Sequence, residues 1–323
     1  MRNRRSVAER AREVGHSANA MSARSGENVH VQPPGIAAVA AQFGRDVDAC
    51  LRTIERIVDR ARARGARLVA FPECALGGYV REPMPDEIAP ELPPALDRAG
   101  PEIADLIRIA GDVVVCVGYT EAAPDERRYS SAVCVSGDGV LGHQRKVHLP
   151  PAERFAYTPG DGFAAFDTPV GRLGMLICYD KLFPEAARAL VLDGAQIVVA
   201  PAAWPVCRQR PATRIANDRQ TRHFNVVDVA RAVENQVVWV ASNQTGRLGP
   251  LRFLGNAKVV DPEGAVLART GANGGLALAR VDAAAAVHEA RLGIDHLADR
   301  RPASYATGLA ADAAAVAGAP LPR

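Results

Sequence analysis

A cysteine stands where an apolar strand runs into a polar turn in GMLICYDKLFPEAA, residues 174–187. Pro184 then opens a helix at the position where a proline costs no hydrogen bond. Strand-turn-helix elbows of this kind expose a side chain at the carboxyl edge of a sheet, where α/β proteins bind ligands. Cys178 is therefore a candidate nucleophile, and taken alone it is equally well one more buried thiol. A thiol attacks only as thiolate, so a base or a cation must stand nearby. Phe71-Pro72-Glu73 supplies a carboxylate directly after another apolar strand, at the same sheet edge. RKVHLP supplies Lys146 on the return strand of a hairpin, a place where a lone lysine is ordinarily a solvated edge residue.

The elements that would position these groups follow from hydrophobic spacing. IAAVAAQF from Ile36 reads as a buried strand. Asp46 reads as an N-cap, with Val47, Leu51, Ile54, Val58 and Ala61 at helical intervals up to Gly65. RLVAF is a strand, Pro101 to Ile109 a helix, and VVVCVGY a strand. SSAVCV and VLGHQRKV form a hairpin around Ser136-Gly137-Asp138-Gly139. The second half has the same plan: RLGMLIC, a helix from Pro184 to Asp193, QIVVA, a helix containing Asn225 to Asn235, VVWVAS, and a hairpin of NAKVV and AVLAR around Asp261-Pro262-Glu263-Gly264. Two halves with one order of elements predict an α/β fold of two similar sheets packed face to face with helices outside, a four-layer α-β-β-α sandwich. The domain is expected over residues 36–285, with a tail at 286–323 that packs on the domain or on a partner subunit.

The chain has 39 Lys and Arg against 36 Asp and Glu, interspersed, so no basic face points to nucleic acid or to an acidic membrane surface. At 323 residues it buries enough surface to need neither disulfides nor a metal for its core. Its six cysteines form no C-x-x-C pair, which predicts reduced thiols and a cytoplasmic location. No apolar stretch reaches the length of a membrane span. Residues 1–35 are rich in Arg, Ser and Asn and lack the apolar segment of a secretory signal. They read as a disordered extension or as sequence upstream of a true start at Met21, before a transit peptide.

FPE at Glu73, RKVHLP at Lys146 and CYDKLFPE at Cys178 resemble, in order and approximate spacing, the motifs of the nitrilase superfamily, the carbon–nitrogen hydrolases. Tyr79 after Gly77-Gly78, Glu153 ahead of TPGDGFAAFDTPVGRLG, Arg231 to Asn235 (RAVEN) and DRRP with Tyr305 extend the likeness over about Ile36 to Tyr305. The resemblance implies the same sandwich and a Glu-Lys-Cys triad of Glu73, Lys146 and Cys178 with Glu153 as accessory carboxylate. It also implies an oxyanion cradle that includes the backbone N–H of Tyr179, a substrate contact at Tyr79, packing of subunits into a homodimer or larger assembly, and no metal or organic cofactor. The substrates implied are linear amides or ureido (N-carbamoyl) compounds, with nitriles as the alternative. A non-catalytic binding protein on the same scaffold is disfavoured, since all four reactive positions are chemically intact.

Two positions depart from the pattern. Leu182 stands where many members carry arginine, and Gly255-Asn256-Ala257 where G-x-S is common. Trp204 reads either as a pocket wall or as a core aromatic. Lys181 reads first as a surface lysine, with contact to a substrate carboxylate as the other reading. His143 and His148 flank Lys146 without a third ligand at metal spacing, which argues against zinc. Asn243-Gln244-Thr245 matches a glycosylation sequon and is given no weight.

Overall fold

The computed structural model describes residues 32–80 and 91–305. The first half comprises β1 (Gly35–Ala41), α1 (Val47–Ala63), β2 (Ala66–Ala70), β3 (Leu96–Asp97), α2 (Pro101–Ala110), β4 (Val114–Ala122), β5 (Arg128–Ser136) and β6 (Gly139–Arg145). The second comprises β7 (Ala165–Thr168), β8 (Gly171–Met175), α3 (Pro184–Leu192), β9 (Ile197–Ala202), α4 (Arg219–Asn235) and β10 (Val238–Gln244). It ends with β11 (Arg247–Leu248), β12 (Leu251–Arg252), β13 (Lys258–Val260), β14 (Val266–Arg269), β15 (Gly275–Arg280) and α5 (Ala283–Arg291). The expected leader up to residue 31, and the expected tail from residue 306, lie outside the described residues.

Alternation along the strands builds the layers, since successive side chains point to opposite faces. Ala37, Val39, Val69, Val115 and Val117 face the buried stripe of α1 (Leu51, Ile54, Val58, Ala61) and of α2 (Ile103, Leu106). Ile36, Ala38, Ala40, Leu68, Ala70, Val114 and Cys116 face the other way, onto Leu173, Met175, Ile177, Val199 and Val240 of the second half. That half in turn carries Ala186, Leu190, Phe224 and Ala232 of α3 and α4 on its outer side. The result is the α-β-β-α sandwich. Each fully buried Leu, Ile or Val adds roughly 1.5–3 kcal/mol, so the middle layer is a large share of the favourable free energy.

The half-sheets, β6-β5-β4-β2-β1 and β10-β9-β8-β7, are not separate. They join through a parallel β1·β10 seam of two residue pairs, Ala40 with Asn243 and Ala41 with Gln244. The internal repeat is visible in the pairing: β4 continues into the β5-β6 hairpin, and β10 pairs the β13-β14 hairpin. Asp46 caps α1 by accepting from the Ala49 N–H, and Pro184 begins α3.

Six of the described strands and helices lie beyond the sequence expectations: β3, β7, β11, β12, β15 and α5. β15 pairs antiparallel with β1 over six positions, its alternation hidden in the alanine-rich GLALAR. α5 is capped by Asp282. Residues 290–296 are tied to the end of α4, where Gln236 donates to the carbonyls of Ala290 and Ile294 and accepts from the His296 N–H. No helix among the described residues is long and apolar enough to cross a membrane.

Candidate active site

Four of the residues singled out by motif converge at the carboxyl ends of the parallel strands. Glu73 follows β2 by three residues, Lys146 follows β6 directly, Glu153 ends a short 3-10 turn (Pro151–Glu153), and Cys178 opens another (Cys178–Leu182). Glu73, Lys146 and Glu153 are fully buried, and Cys178 is 7% exposed. The Lys146 ammonium donates to Glu73 Oε1 at 2.7 Å and to both Glu153 oxygens at 2.6 and 2.8 Å. Glu73 also accepts from the Ala203 N–H at 2.9 Å and from Ser130 Oγ at 3.3 Å. Tyr79, read from sequence as a substrate contact, donates its hydroxyl to Glu153 Oε1 at 2.5 Å.

The backbone that aims these groups is strained where they project. Cys178 has φ +50° and Cys74, next to Glu73, has φ +53°, a region costly for residues with a Cβ. Both stand just past a strand end, and the surroundings hold them there. Gly118 of β4 lies against this loop: a Cβ on it would meet Cys74 N at 2.6 Å and Glu73 Cα at 2.7 Å. Across the loop, three consecutive residues ending β10 act as clamps. Ser242 donates to the Phe71 carbonyl, Asn243 accepts from the Trp204 N–H, and Gln244 donates to the Glu73 carbonyl. The sequon Asn243-Gln244-Thr245 is thus buried, and its first two residues position the site. The signal missed was a polar run closing an otherwise apolar strand.

Burial raises the Cys178 thiol well above its ordinary pKa, Glu73 adds to the rise, and Lys146 opposes it, so at rest the thiol keeps its proton. Burial also opposes the charge of Lys146, but Glu153 and Glu73 outweigh it and hold the ammonium well above the lysine range. Burial lifts Glu153 to about 7, against the pull of Lys146 and with the push of Glu73. Two carboxylates share one ammonium.

A cavity of about 770 Å³ opens beside this group. Cys178 does not line it, but its chain neighbour Tyr179 does, together with Leu182, Trp204 and Gln220, whose Oε1 accepts from the Trp204 indole. Trp204 is therefore a wall of the cavity and also a core aromatic, set edge-on to Phe224 at 5.8 Å.

Lys181 corrects the sequence reading: it is fully buried, neither at the surface nor in the cavity wall. Its ammonium bonds Asp228 Oδ1 at 2.8 Å, while Lys258 bonds Oδ2 of the same carboxylate at 2.5 Å. Both ammoniums sit over the Phe224 ring, at 3.2 and 4.0 Å from its centre. Burial brings Lys181 down to about 8 against the attraction of Asp228. Arg231 of the RAVEN segment donates to the carbonyls of Lys181 and Leu182, so α4 grips the turn that carries Cys178. His148 bonds Asp180 and stacks on Phe183, and His143 bonds Glu121.

The sequence profile of the family described as carbon-nitrogen hydrolase matches residues 35–288. The chain belongs to that family. A nitrilase of Pyrococcus abyssi is 33% identical over 217 residues, covering 66% of this chain and 75% of the relative. An N-carbamoylputrescine amidase of Arabidopsis thaliana is 32% identical over 239 residues, covering 69% and 77%. Among solved structures, a mutant amidase of Nesterenkonia sp. AN1 is 26% identical with a TM-score of 0.69, covering 85% of this chain and 97% of its own. It shows the acetamide moiety of fluoroacetamide added covalently at the active-site cysteine. This carbon-nitrogen hydrolase accordingly has relatives named for action on carbamoyl, amide and nitrile compounds.

Proposed function

We propose that the chain hydrolyses the non-peptide C–N bond of a linear carboxamide or N-carbamoyl amine through a thioester on Cys178. One observation carries the reading: a buried lysine bridging two carboxylates stands with a cysteine on a strained elbow, at one sheet edge. The Glu73 carboxylate takes the thiol proton, and the sulfur attacks the carbonyl carbon. Lys146 and the Tyr179 backbone N–H hold the oxygen as it becomes negative, an arrangement in which one donor is worth about 3 kcal/mol. The tetrahedral carbon then collapses, and the C–N electron pair leaves with the proton held by Glu73, as ammonia or an amine. Water gives a proton to the same carboxylate and attacks the thioester, releasing the acid and the thiol. Glu153, held by Tyr79, orients Lys146. Metal and organic cofactors have no step in this scheme.

The experiment is to mix the protein with a slowly hydrolysed amide, quench, and weigh the protein and its Cys178 peptide. The acyl mass on Cys178, with ammonia or amine released ahead of acid, is the expected result. A second reading, nitrile hydrolysis with the same residues, draws support from the similarity to the Pyrococcus abyssi nitrilase. Turnover of nitriles with no activity on any amide or ureido compound selects it. The same proposal places the enzyme in the cytoplasm as a homodimer or larger homo-oligomer. Six free thiols and the exposed Leu292 and Ile294 past α5 support those two points. Light scattering that returns a monomer at micromolar concentration removes the oligomer.

A further inference from the structure

The cavity beside Cys178 is the first of three with common walls. It shares Arg208 with a neighbour of about 400 Å³, which shares Arg247 and Arg252 with a third of about 310 Å³. Arg219 and His223 stand in the first cavity as well. Among the described residues that line the three, there is no Asp or Glu. Arg247 and Arg252 are direct cross-strand partners in the two-stranded β11-β12 ribbon. Like charges placed opposite each other destabilise such a pair. Elsewhere in the protein Arg62 bridges Asp59 and Asp112, and Arg172 bridges Asp167 and Asp193. Neither Arg247 nor Arg252 has a carboxylate partner among the described residues. A repulsive pair at the rim of a cavity chain that begins beside the nucleophile is a site for negative charge brought by a ligand.

We infer that the preferred substrate carries an anionic group, a carboxylate, at the end away from the scissile bond, and that Arg247 and Arg252 bind it. The inference rests on the reading of Cys178 as the nucleophile of an amide hydrolase. In this arrangement the reacting amide enters the cavity beside Tyr179 and Trp204, and the chain of the substrate runs along the shared walls toward the ribbon. Charge-assisted bonds from a guanidinium to a carboxylate are strong enough to sort substrates of equal length by their far end.

The test compares three linear monoamides of equal chain length that end in a carboxylate, a methyl ester or an ammonium group. The carboxylate is expected to have the highest kcat/KM, roughly tenfold above the ester, with the ammonium lowest and the spread narrowing as salt is raised. R247A and R252A should each lower the carboxylate-to-ester ratio several-fold, and the double variant R247E/R252E should invert carboxylate and ammonium. Equal use of all three, with ratios unmoved by salt or by the variants, overturns the inference. If none of the three is hydrolysed, calorimetry with the matching dicarboxylate and its monoester decides. Tighter binding of the dicarboxylate, lost in R247E/R252E, keeps the anion site and discards the amidase reading. Equal or absent binding of both discards the inference too.

Discussion

One ammonium between two buried carboxylates leaves a net negative charge inside the protein, and burial disfavours that charge on Glu153. Glu153 at about 7 lies above the ordinary 4.5 of a glutamate, so the folded chain binds a proton there that the unfolded chain releases. The stabilising contribution of that proton is complete below about pH 4.5 and is lost as pH rises through 7. E153Q fixes the neutral form in nearly the same shape. Its melting temperature relative to the wild type should therefore climb between pH 5 and pH 8; a difference that is flat or falls over that range contradicts the assignment. For the thiol, C178A should abolish turnover, by roughly 10⁴-fold or more, with an unchanged circular dichroism spectrum and melting temperature. E73Q should be nearly as inactive, because an amide cannot accept the thiol proton. A well-folded C178A protein that still hydrolyses substrate would remove Cys178 as nucleophile.

At the scale of elements, the strand ends matter more than the strands. At Gly118, β4 lies against the Glu73 loop, and a methyl group there has only backbone to push against. G118A should displace Glu73, lowering kcat far more than it raises KM, with a melting temperature a few degrees lower. Activity equal to the wild type would show that the loop is free to move away. Much of this level was legible in the sequence. The FPE, RKVHLP and CYD motifs located Glu73, Lys146 and Cys178, and the doubled order of strands and helices predicted the sandwich. Contacts between residues far apart in the chain were not. Lys181 looked like a surface residue because its partners Asp228 and Lys258 lie 47 and 77 positions away in sequence, and no local pattern announces such a triad. Ser242, Asn243 and Gln244 were passed over for the same reason, as polar residues whose carbonyl and amide partners sit in the loops past β2 and β9.

For the molecule as a whole, the middle layer ties the halves together. Ile36, Leu68 and Val114 from one half and Leu173, Val199 and Val240 from the other share one core, so neither half covers its inner face alone. The pairing of β1 with β15 adds a constraint of order. Gly35 meets Arg280 and Ala40 meets Gly275, which, among the described residues, makes the first strand wait for the last. Until residue 280 has left the ribosome, β1 presents a row of open amides and carbonyls beside the apolar Ile36 and Val39, the kind of edge that recruits other chains. A chain ended at Gly274 should consequently precipitate on expression or refolding, and a synthetic peptide of residues 275–281 added in trans should raise the yield of dispersed protein. A dispersed, active truncated chain would show that β1 needs no such cover. The same adjacency makes birth order, rather than final stability, the point at which this fold is exposed to error.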